Sequence, residues 1–144
     1  MESEIVDHIS PFFPGIFTPP PYHQAPPRLL GGFCPACGDY SFPRPKFCRR
    51  CLGGVEETDL GSEGTLYSFT VIRTKPPLGL PQPYSVGYID LKGKDLRIFG
   101  LLDPKAIERL RIGLPMRLAV DPLGHDGRGS PRLRPYFTPQ EKKK

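Results

Sequence analysis

Four cysteines, which are all the cysteines of this 144-residue chain, are arranged as two Cys-x-x-Cys pairs within a short stretch. Ten residues separate the pair Cys34 and Cys37 from the pair Cys48 and Cys51. Each pair can form a knuckle whose tight turn directs two thiolates to one ion, and two knuckles complete the tetrahedron that Zn²⁺ prefers. The spacing therefore predicts a metal site in which these four cysteines are the ligands.

A site made of four cysteines has a predicted structural role. Four thiolates leave no position for water on Zn²⁺, so the ion cannot activate a metal-bound hydroxide. The segment is also too short to fold by burying apolar side chains, and zinc binding contributes roughly 10 to 16 kcal/mol to such peptides at neutral pH. Gly38 follows the second cysteine, where the turn needs a positive φ. We therefore expect a ribbon that is stabilised by structural zinc.

The other polar residues do not form a recognisable catalytic set. His8 and His23 lie in a proline-rich segment, and His125 lies in a glycine-rich loop. The stretch GHDGRGS has the glycines of a phosphate-binding loop, but it lacks the lysine and the following helix of a P-loop. No serine or acid shows the spacing of a nucleophile with its base. We predict no catalytic residue and therefore a binding or accessory role.

The composition favours a small, mostly β protein. Twenty prolines and sixteen glycines are too many for a helical chain. No apolar run approaches the roughly 20 residues that cross a bilayer, and the N-terminus lacks the pattern of a signal peptide. We expect no membrane association and a cytoplasmic location, where clustered cysteines more often bind metals than form disulfides. The formal charge of +5, or about +3 with zinc on four thiolates, would suit a polyanionic partner.

Four segments are predicted along the chain. Residues 1–28 form a proline-rich arm, residues 29–60 the zinc ribbon, residues 61–138 a barrel domain and residues 139–144 a basic tail. The arm is either a disordered tail or a segment that packs on its own domain or on a partner. Its apolar side chains favour packing, because aromatic groups gain most when they are buried. These side chains are Phe12, Phe13, Ile16, Phe17 and Tyr22.

The barrel domain is predicted to contain five strands. Alternating polarity and turn signals place them at residues 64–74, 84–91, 95–102, 115–121 and 131–137. The second and third form a hairpin across a tight turn. Before the fourth strand, Asp103 is placed as an N-cap, Pro104 as the first helical residue and Gly113 as the end of a helix. Five strands with one helix between the third and fourth is the order of an OB-fold barrel.

The order of these features resembles a family of small proteins that carry a rubredoxin-like zinc ribbon followed by an OB-fold and are associated with acyl-CoA metabolism. The resemblance rests on the motifs CPACGDYSFPRPKFCRRC, GTLYSFTVIRTKPPLGLPQPYSVGYIDL, RIFGLL and IGLPMRLAVD, and it runs from about Arg28 to Phe137. Members are accessory subunits or fused domains of thiolase-like enzymes and of acyl-CoA hydratases. The resemblance implies a non-catalytic subunit that docks to a thiolase-like catalytic subunit and helps to position an acyl-CoA thioester. One candidate is the thiolase that cleaves benzoylsuccinyl-CoA in anaerobic toluene degradation.

A coenzyme A ligand would need basic side chains near its phosphates and apolar walls further in. Arg49 and Arg50 lie beside the ribbon, and Arg73 and Lys75 flank the long loop of the barrel. These four residues are the predicted phosphate contacts. The alternative for each of them is an ordinary solvated charge.

Two other functions remain open at this point. Zinc ribbons and OB-folds also bind single-stranded nucleic acids, and Tyr84, Tyr88 and Phe99 could stack on bases, although the low net charge makes this function less favoured. The third function is a free-standing acyl-CoA carrier that has no partner enzyme.

Overall fold

The computed structural model describes residues 8–23 and 25–140, and β-strands are the main regular structure of this part of the chain. Three short strands form an antiparallel sheet in the order β2-β1-β3, namely β1 (Leu29–Phe33), β2 (Tyr40–Ser41) and β3 (Glu56–Gly61). Five further strands form a closed barrel in the order β4-β5-β6-β8-β7. They are β4 (Glu63–Ile72), β5 (Tyr84–Leu91), β6 (Leu96–Leu102), β7 (Pro115–His125) and β8 (Pro131–Pro139). The predicted mostly β fold with a five-stranded barrel is confirmed.

Strand β4 pairs with a neighbour on each side. Residues 63–65 pair with β7, and residues 64–72 pair with β5. Gly64 lies at this junction, where an added Cβ would come within 2.7 Å of the backbone oxygen of Asp90. Leu66 is fully buried and Tyr67 faces solvent, as alternation along a strand predicts, and a bulge between Leu66 and Ser68 then shifts the register. The bulge interrupts the simple alternation that the sequence suggests for this strand.

The ribbon sheet and the barrel share one apolar core. Leu29 of β1 and Leu60 of β3 are both 1% exposed, and they belong to the cluster that contains Leu66, Ile89 and Met116 of the barrel. In the ribbon sheet, a Cβ on Gly31 would overlap the Leu60 side chain and the backbone oxygen of Ser41. The strands that flank the cysteine knuckles are therefore fixed to the barrel by close packing.

The predicted helix between β6 and β7 is reduced to a 3₁₀ helix, Ile107–Arg109. Asp103 is not its N-cap: the carboxylate accepts from the backbone N–H of Lys105 at 2.8 Å, whereas Ala106 occupies the N-cap position without a side-chain cap bond. The following bonds span three residues, as in Arg109 N–H to the Ala106 carbonyl, and Ala106 has φ −119°, outside the α region. A short helix thus lies within the predicted range, but the predicted N-cap, first helical residue and length are wrong. No helix in the described part of the chain is long and apolar enough to cross a membrane.

The segment predicted as a loop over residues 122–130 is shorter than expected. β7 continues to His125 through a bulge, and only the tip of the hairpin is irregular. Asp126 organises this tip, because its carboxylate accepts from the backbone N–H groups of Arg128 at 2.8 Å and Ser130 at 3.0 Å. At the other end of β8, Pro139 is still in the strand and Gln140 donates to the Pro115 carbonyl. Residues 141–144 of the predicted tail lie outside the described residues.

The described part of the proline-rich arm packs against the barrel. The N–H of Phe12 donates to the Leu133 carbonyl and the N–H of Leu133 donates to the Ser10 carbonyl, both at 2.9 Å. Phe17 is 5% exposed and packs with Val120 and Leu133. The arm therefore extends the edge of β8 with a few backbone bonds and a small core of its own. Residues 1–7 and Gln24 of the predicted arm lie outside the described residues.

Candidate metal centre and ligand surfaces

The four predicted metal ligands are brought together at one point of the ribbon. Their sulfur atoms all lie within 4.8 Å of one another, with 3.6 Å between Cys34 and Cys51 and 3.9 Å between Cys37 and Cys48. A tetrahedral Zn²⁺ with Zn–S bonds of about 2.3 Å requires sulfur–sulfur distances of about 3.8 Å. The arrangement of thiols therefore fits one tetrahedral metal ion of this size.

Two similar turns direct the thiols to this point. The N–H of Gly38 donates to the Cys34 carbonyl at 2.7 Å, and the N–H of Leu52 donates to the Cys48 carbonyl at 2.8 Å. Each donor has a positive φ, 73° at Gly38 and 62° at Leu52. Glycine adopts this conformation without strain, whereas leucine does not. The sequence predicted the first of these turn residues and offered no sign of the second.

The backbone also polarises the second pair of thiols. The N–H groups of Arg50 and Gly53 approach the sulfur atoms of Cys48 and Cys51, both at 3.4 Å. Backbone N–H groups of Cys51 and Arg50 lower the pKa of Cys48 to about 7, whereas the contact with the Cys51 thiol and burial raise the pKa of Cys37 to about 12. Without a cation, the four thiols cannot all ionise at neutral pH. A bound metal would supply the positive charge that four thiolates require.

Arg49 and Arg50 lie where the ribbon meets the turn between β5 and β6, and both are exposed. Arg50 is paired with Asp39 at 3.0 Å. Arg49 points to a cleft of about 530 Å³ between the ribbon and the barrel. The cleft is lined by the cysteines Cys34 and Cys48, the apolar residues Tyr40, Phe42, Pro45, Phe47, Val55 and Leu96, and the polar residues Asp39, Ser41, Arg49, Asp95 and Arg97. It combines apolar walls with two arginines, as a nucleotide-like ligand requires.

Arg73 and Lys75 lie at the opposite end of the barrel. Gly64 of β4 pairs with Leu91 beside the β5–β6 turn, whereas Ile72 pairs with Tyr84 at the far end of the strand. Ten residues of strand span roughly 30 Å, at about 3.3 Å per residue. The structure therefore brings Arg49 close to Arg50, but it does not bring this pair together with Arg73 and Lys75.

An aromatic surface covers the outside of β4, β5 and β6. Tyr88 and Phe99 are 45% and 56% exposed and contact each other edge to face, with ring centroids 5.2 Å apart. Tyr84, the third aromatic side chain considered from the sequence, is partly buried. The guanidinium of Arg97 lies 3.3 Å from the ring centroid of Tyr67 and is paired with Asp90. Tyr67 and Arg97 were not predicted as part of this surface, although alternation with the buried Leu66 places Tyr67 on the outer face.

No second cluster that could bind a metal is found among residues 8–23 and 25–140. His125 contacts the backbone oxygen of Asp126 through Nδ1, and its ring occupies the space that a Cβ on Gly79 would need. His125 therefore packs between two loops of the barrel.

Comparison with known proteins identifies the relatives of this chain. Residues 57–121 match the family model described as ChsH2, C-terminal OB-fold domain. The benzoylsuccinyl-CoA thiolase subunit BbsA of Thauera aromatica is 39% identical over 93 residues, which cover 64% of this chain and 62% of BbsA. A DUF35 domain-containing scaffold protein of Methanocaldococcus jannaschii is 28% identical over 102 residues, which cover 69% of this chain and 72% of that protein.

A solved structure extends the likeness over more of the chain than the family model does. The structure described as the Ltp2-ChsH2(DUF35) aldolase matches with a TM-score of 0.62 and 26% identity, over 78% of this chain and 84% of that chain. The family model by itself begins in β3 and ends in β7, so it covers most of the barrel but not the cysteines. The resemblance inferred from the sequence is thus confirmed: the chain is similar to proteins that carry the ChsH2-type OB-fold domain.

Proposed function

We propose that this protein is a non-catalytic accessory subunit of a thiolase-like enzyme that acts on acyl-CoA thioesters. The observation that carries the proposal is the similarity to BbsA, whose name describes a thiolase subunit. The matched solved structure, an Ltp2-ChsH2(DUF35) aldolase, supports the same kind of partnership. We propose a hetero-oligomer in which the other chain carries the reacting groups.

The chemistry of the described residues is consistent with this role. All four cysteines point to one site, so none remains as a nucleophile that could accept an acyl group. We propose that Cys34, Cys37, Cys48 and Cys51 hold Zn²⁺, which would rigidify the ribbon and supply no open position for a substrate. The ribbon would then present the side chains between its knuckles in a fixed orientation.

The cleft between the ribbon and the barrel is the proposed place for part of coenzyme A. Arg49 has no ion-pair partner among the described residues, whereas Arg50 is already paired with Asp39. An unpaired arginine beside apolar walls can form a bidentate contact with a phosphate group. We propose that Arg49 contacts a coenzyme A phosphate in the complex. Benzoylsuccinyl-CoA is the proposed substrate because BbsA is named for it.

Identification of the partner tests the accessory role. The protein should be purified from its native extract at moderate salt, and the co-eluting proteins should be identified by mass spectrometry. We expect a thiolase-like subunit in stable stoichiometry and no acyl transfer by this chain alone. Thiolase activity of the isolated chain, or a native preparation that contains no such subunit, would contradict the proposal.

The coenzyme A contact needs a separate test within the complex. Arg49→Ala should raise the KM for the acyl-CoA substrate several-fold with little change in kcat, since a phosphate remote from the thioester contributes mainly to binding. Arg73→Ala is the matched control, because it removes an exposed arginine at the other end of the barrel. If only Arg73→Ala raises the KM, the phosphate contact belongs to the long loop of the barrel and not to Arg49.

Single-stranded nucleic acid is a second candidate ligand, which the exposed pair Tyr88 and Phe99 favours. The cation on this surface, Arg97, is however neutralised by Asp90 at 2.6 Å. Binding of oligonucleotides that falls steeply between 50 and 200 mM salt would support this candidate.

A free-standing carrier of acyl-CoA is the third candidate. Calorimetry with coenzyme A esters on the isolated chain separates it from the accessory role. Sub-micromolar affinity of the lone chain would support the carrier, whereas binding that appears only in the complex supports the accessory subunit.

A further inference from the structure

The barrel has a seam between β6 and β8. The two strands pair only at Leu102 and Phe137, next to one further bond from the N–H of Asp103 to the Phe137 carbonyl at 2.8 Å. On its other side β6 pairs with β5 along its whole length. The arm occupies the edge of β8 at Leu133. Within the described part of the chain, the backbone groups of residues 96–101 that face away from β5 therefore have no backbone partner.

A small apolar pocket lies in this seam. It measures about 210 Å³. Its lining includes Ile98, Phe99 and Leu101 of β6, Phe12 and Phe13 of the arm, and Leu29 and Phe42 of the ribbon. A cavity of about 150 Å³ is large enough to hold benzene. The pocket can therefore accept one aromatic or large aliphatic side chain that enters beside the free edge of β6.

The surface around the seam is apolar and aromatic. Five of the eight exposed large apolar side chains of the described residues lie on the arm or on the outer face of β4 to β6. Phe99 connects these two groups, because it contacts Tyr88 on the barrel face and lines the pocket with Phe12 and Phe13. Exposed aromatic side chains around a pocket are typical of the energetically dominant part of protein interfaces. The five side chains are Phe12, Phe13, Tyr67, Tyr88 and Phe99.

The cations near the seam already have partners within the chain. Arg97 is paired with Asp90, and Arg134 lies under the ring of Phe12 with its guanidinium bonded to the backbone oxygens of Leu123 and His125. An uncharged partner surface matches this electrostatic character, whereas a nucleic acid would need free cations for its phosphates. Unpaired backbone groups next to an apolar pocket match an extended polypeptide, which offers both main-chain bonds and a side chain.

We propose that an extended apolar segment of the catalytic partner adds to the edge of β6 as a further strand and inserts one aromatic or aliphatic side chain into the pocket between Phe13 and Phe99. This inference rests on the proposed function, since it names the surface by which the accessory subunit docks. The bound strand would fill the seam of the barrel. It would also cover the aromatic side chains that the isolated chain exposes.

The test uses the full chain and the thiolase-like subunit that co-purifies with it. Phe13→Ser combined with Phe99→Ser removes two exposed side chains at the pocket and should weaken the complex at least about tenfold, measured by calorimetry. Ile112→Ser is the matched control, because Ile112 is 72% exposed and lies away from the seam. Its affinity for the partner should be unchanged. Hydrogen exchange should also slow in the complex at the amides of residues 96–101 that do not pair with β5.

The possible results distinguish an error in the docking surface from an error in the accessory role. If the unaltered chain and the double variant bind the subunit equally well, or if exchange in β6 is the same with and without the partner, the docking surface is wrong while the accessory role stands. If the unaltered chain binds no thiolase-like subunit, both proposals fall. If the double variant loses binding to a single-stranded DNA oligomer that the unaltered chain binds at physiological salt, the surface belongs to nucleic acid.

Discussion

Replacing Gly38 by alanine tests how the knuckles hold the metal. Gly38 has φ 73°, and a Cβ at this position would meet no atom within 4 Å, so the substitution changes backbone strain without causing a clash. A non-glycine residue in this conformation costs about 1–2 kcal/mol. Because ribbon folding and metal binding are coupled, this cost should appear as roughly 5- to 30-fold weaker zinc binding.

A substitution at Leu52 in the second knuckle should have the opposite effect on zinc affinity. Leu52 has φ 62° and is 75% exposed, so Leu52→Gly relieves strain and loses little buried surface. The greater freedom of glycine in the unfolded chain offsets part of the gain, which leaves a net stabilisation of up to about 1 kcal/mol. The two substitutions should therefore shift zinc affinity in opposite directions.

Competition with a chromophoric chelator measures both effects on the purified full chain. Gly54→Ala is the control, because Gly54 has no positive φ and no atom within 4 Å of an added Cβ. Its zinc affinity should remain within about 0.5 kcal/mol of the unaltered chain. Equal affinities for Gly38→Ala and Gly54→Ala would refute the idea that the left-handed turn positions the thiolates.

Two further substitutions examine the packing and the charges of the fold. Leu60→Ala should lower the free energy of unfolding by about 2–5 kcal/mol, because Leu60 is 1% exposed in the core that the ribbon sheet shares with the barrel. Circular dichroism during urea unfolding should show one transition, and two separate transitions would contradict a shared core. Asp126→Ala should destabilise the protein at pH 7, because the backbone N–H groups of Ser130 and Arg128 and the guanidinium of Arg132 lower the pKa of the Asp126 carboxyl. That stabilisation is present above the ordinary carboxyl pKa of about 3.9 and is lost as the pH falls through the lower folded-state pKa, so the difference from the unaltered chain should shrink at acid pH. A difference that does not vary between pH 3 and pH 7 would contradict this assignment.

The cysteine cluster and the barrel strands could be predicted because both depend on patterns of neighbouring residues in the sequence. The spacing of the cysteines identified thiols that meet in the folded chain, because each Cys-x-x-Cys turn is a local structure. Alternating polarity located the barrel strands, and the ends of most of them lie within two residues of the prediction. The number of strands and the predicted helix between the third and the fourth then indicated an OB-fold barrel.

The features that the sequence did not predict, namely the short helix after Asp103 and the conformation of Leu52, depend on tertiary contacts. Asp103 matches the pattern of a helix start, but its N–H is bonded to Phe137 and its carboxylate accepts from Thr138 at 2.7 Å. The segment that follows is thereby attached to β8 and makes only 3₁₀ turns. Leu52 adopts a positive φ because Cys48 and Cys51 must face one point, a requirement that the residue type does not reveal.

The placement of the basic residues shows a second limit of sequence reasoning. Arg49, Arg50, Arg73 and Lys75 were grouped because each lies near a motif of the proposed ligand site. The pairing of β4 with β5 places the two pairs at opposite ends of a long hairpin. The distance between them depends on strand direction and length, which the composition of the flanking loops does not encode.

The metal environment of the purified protein is the most direct test of the central claim that the sulfur atoms of this chain form a scaffold. Zinc-edge X-ray absorption on the native complex, with and without acyl-CoA, should show one ion per chain with four sulfur ligands at about 2.3 Å and no change on adding substrate. An oxygen or nitrogen ligand from solvent or substrate, or fewer than four sulfur atoms around the ion, would contradict the account.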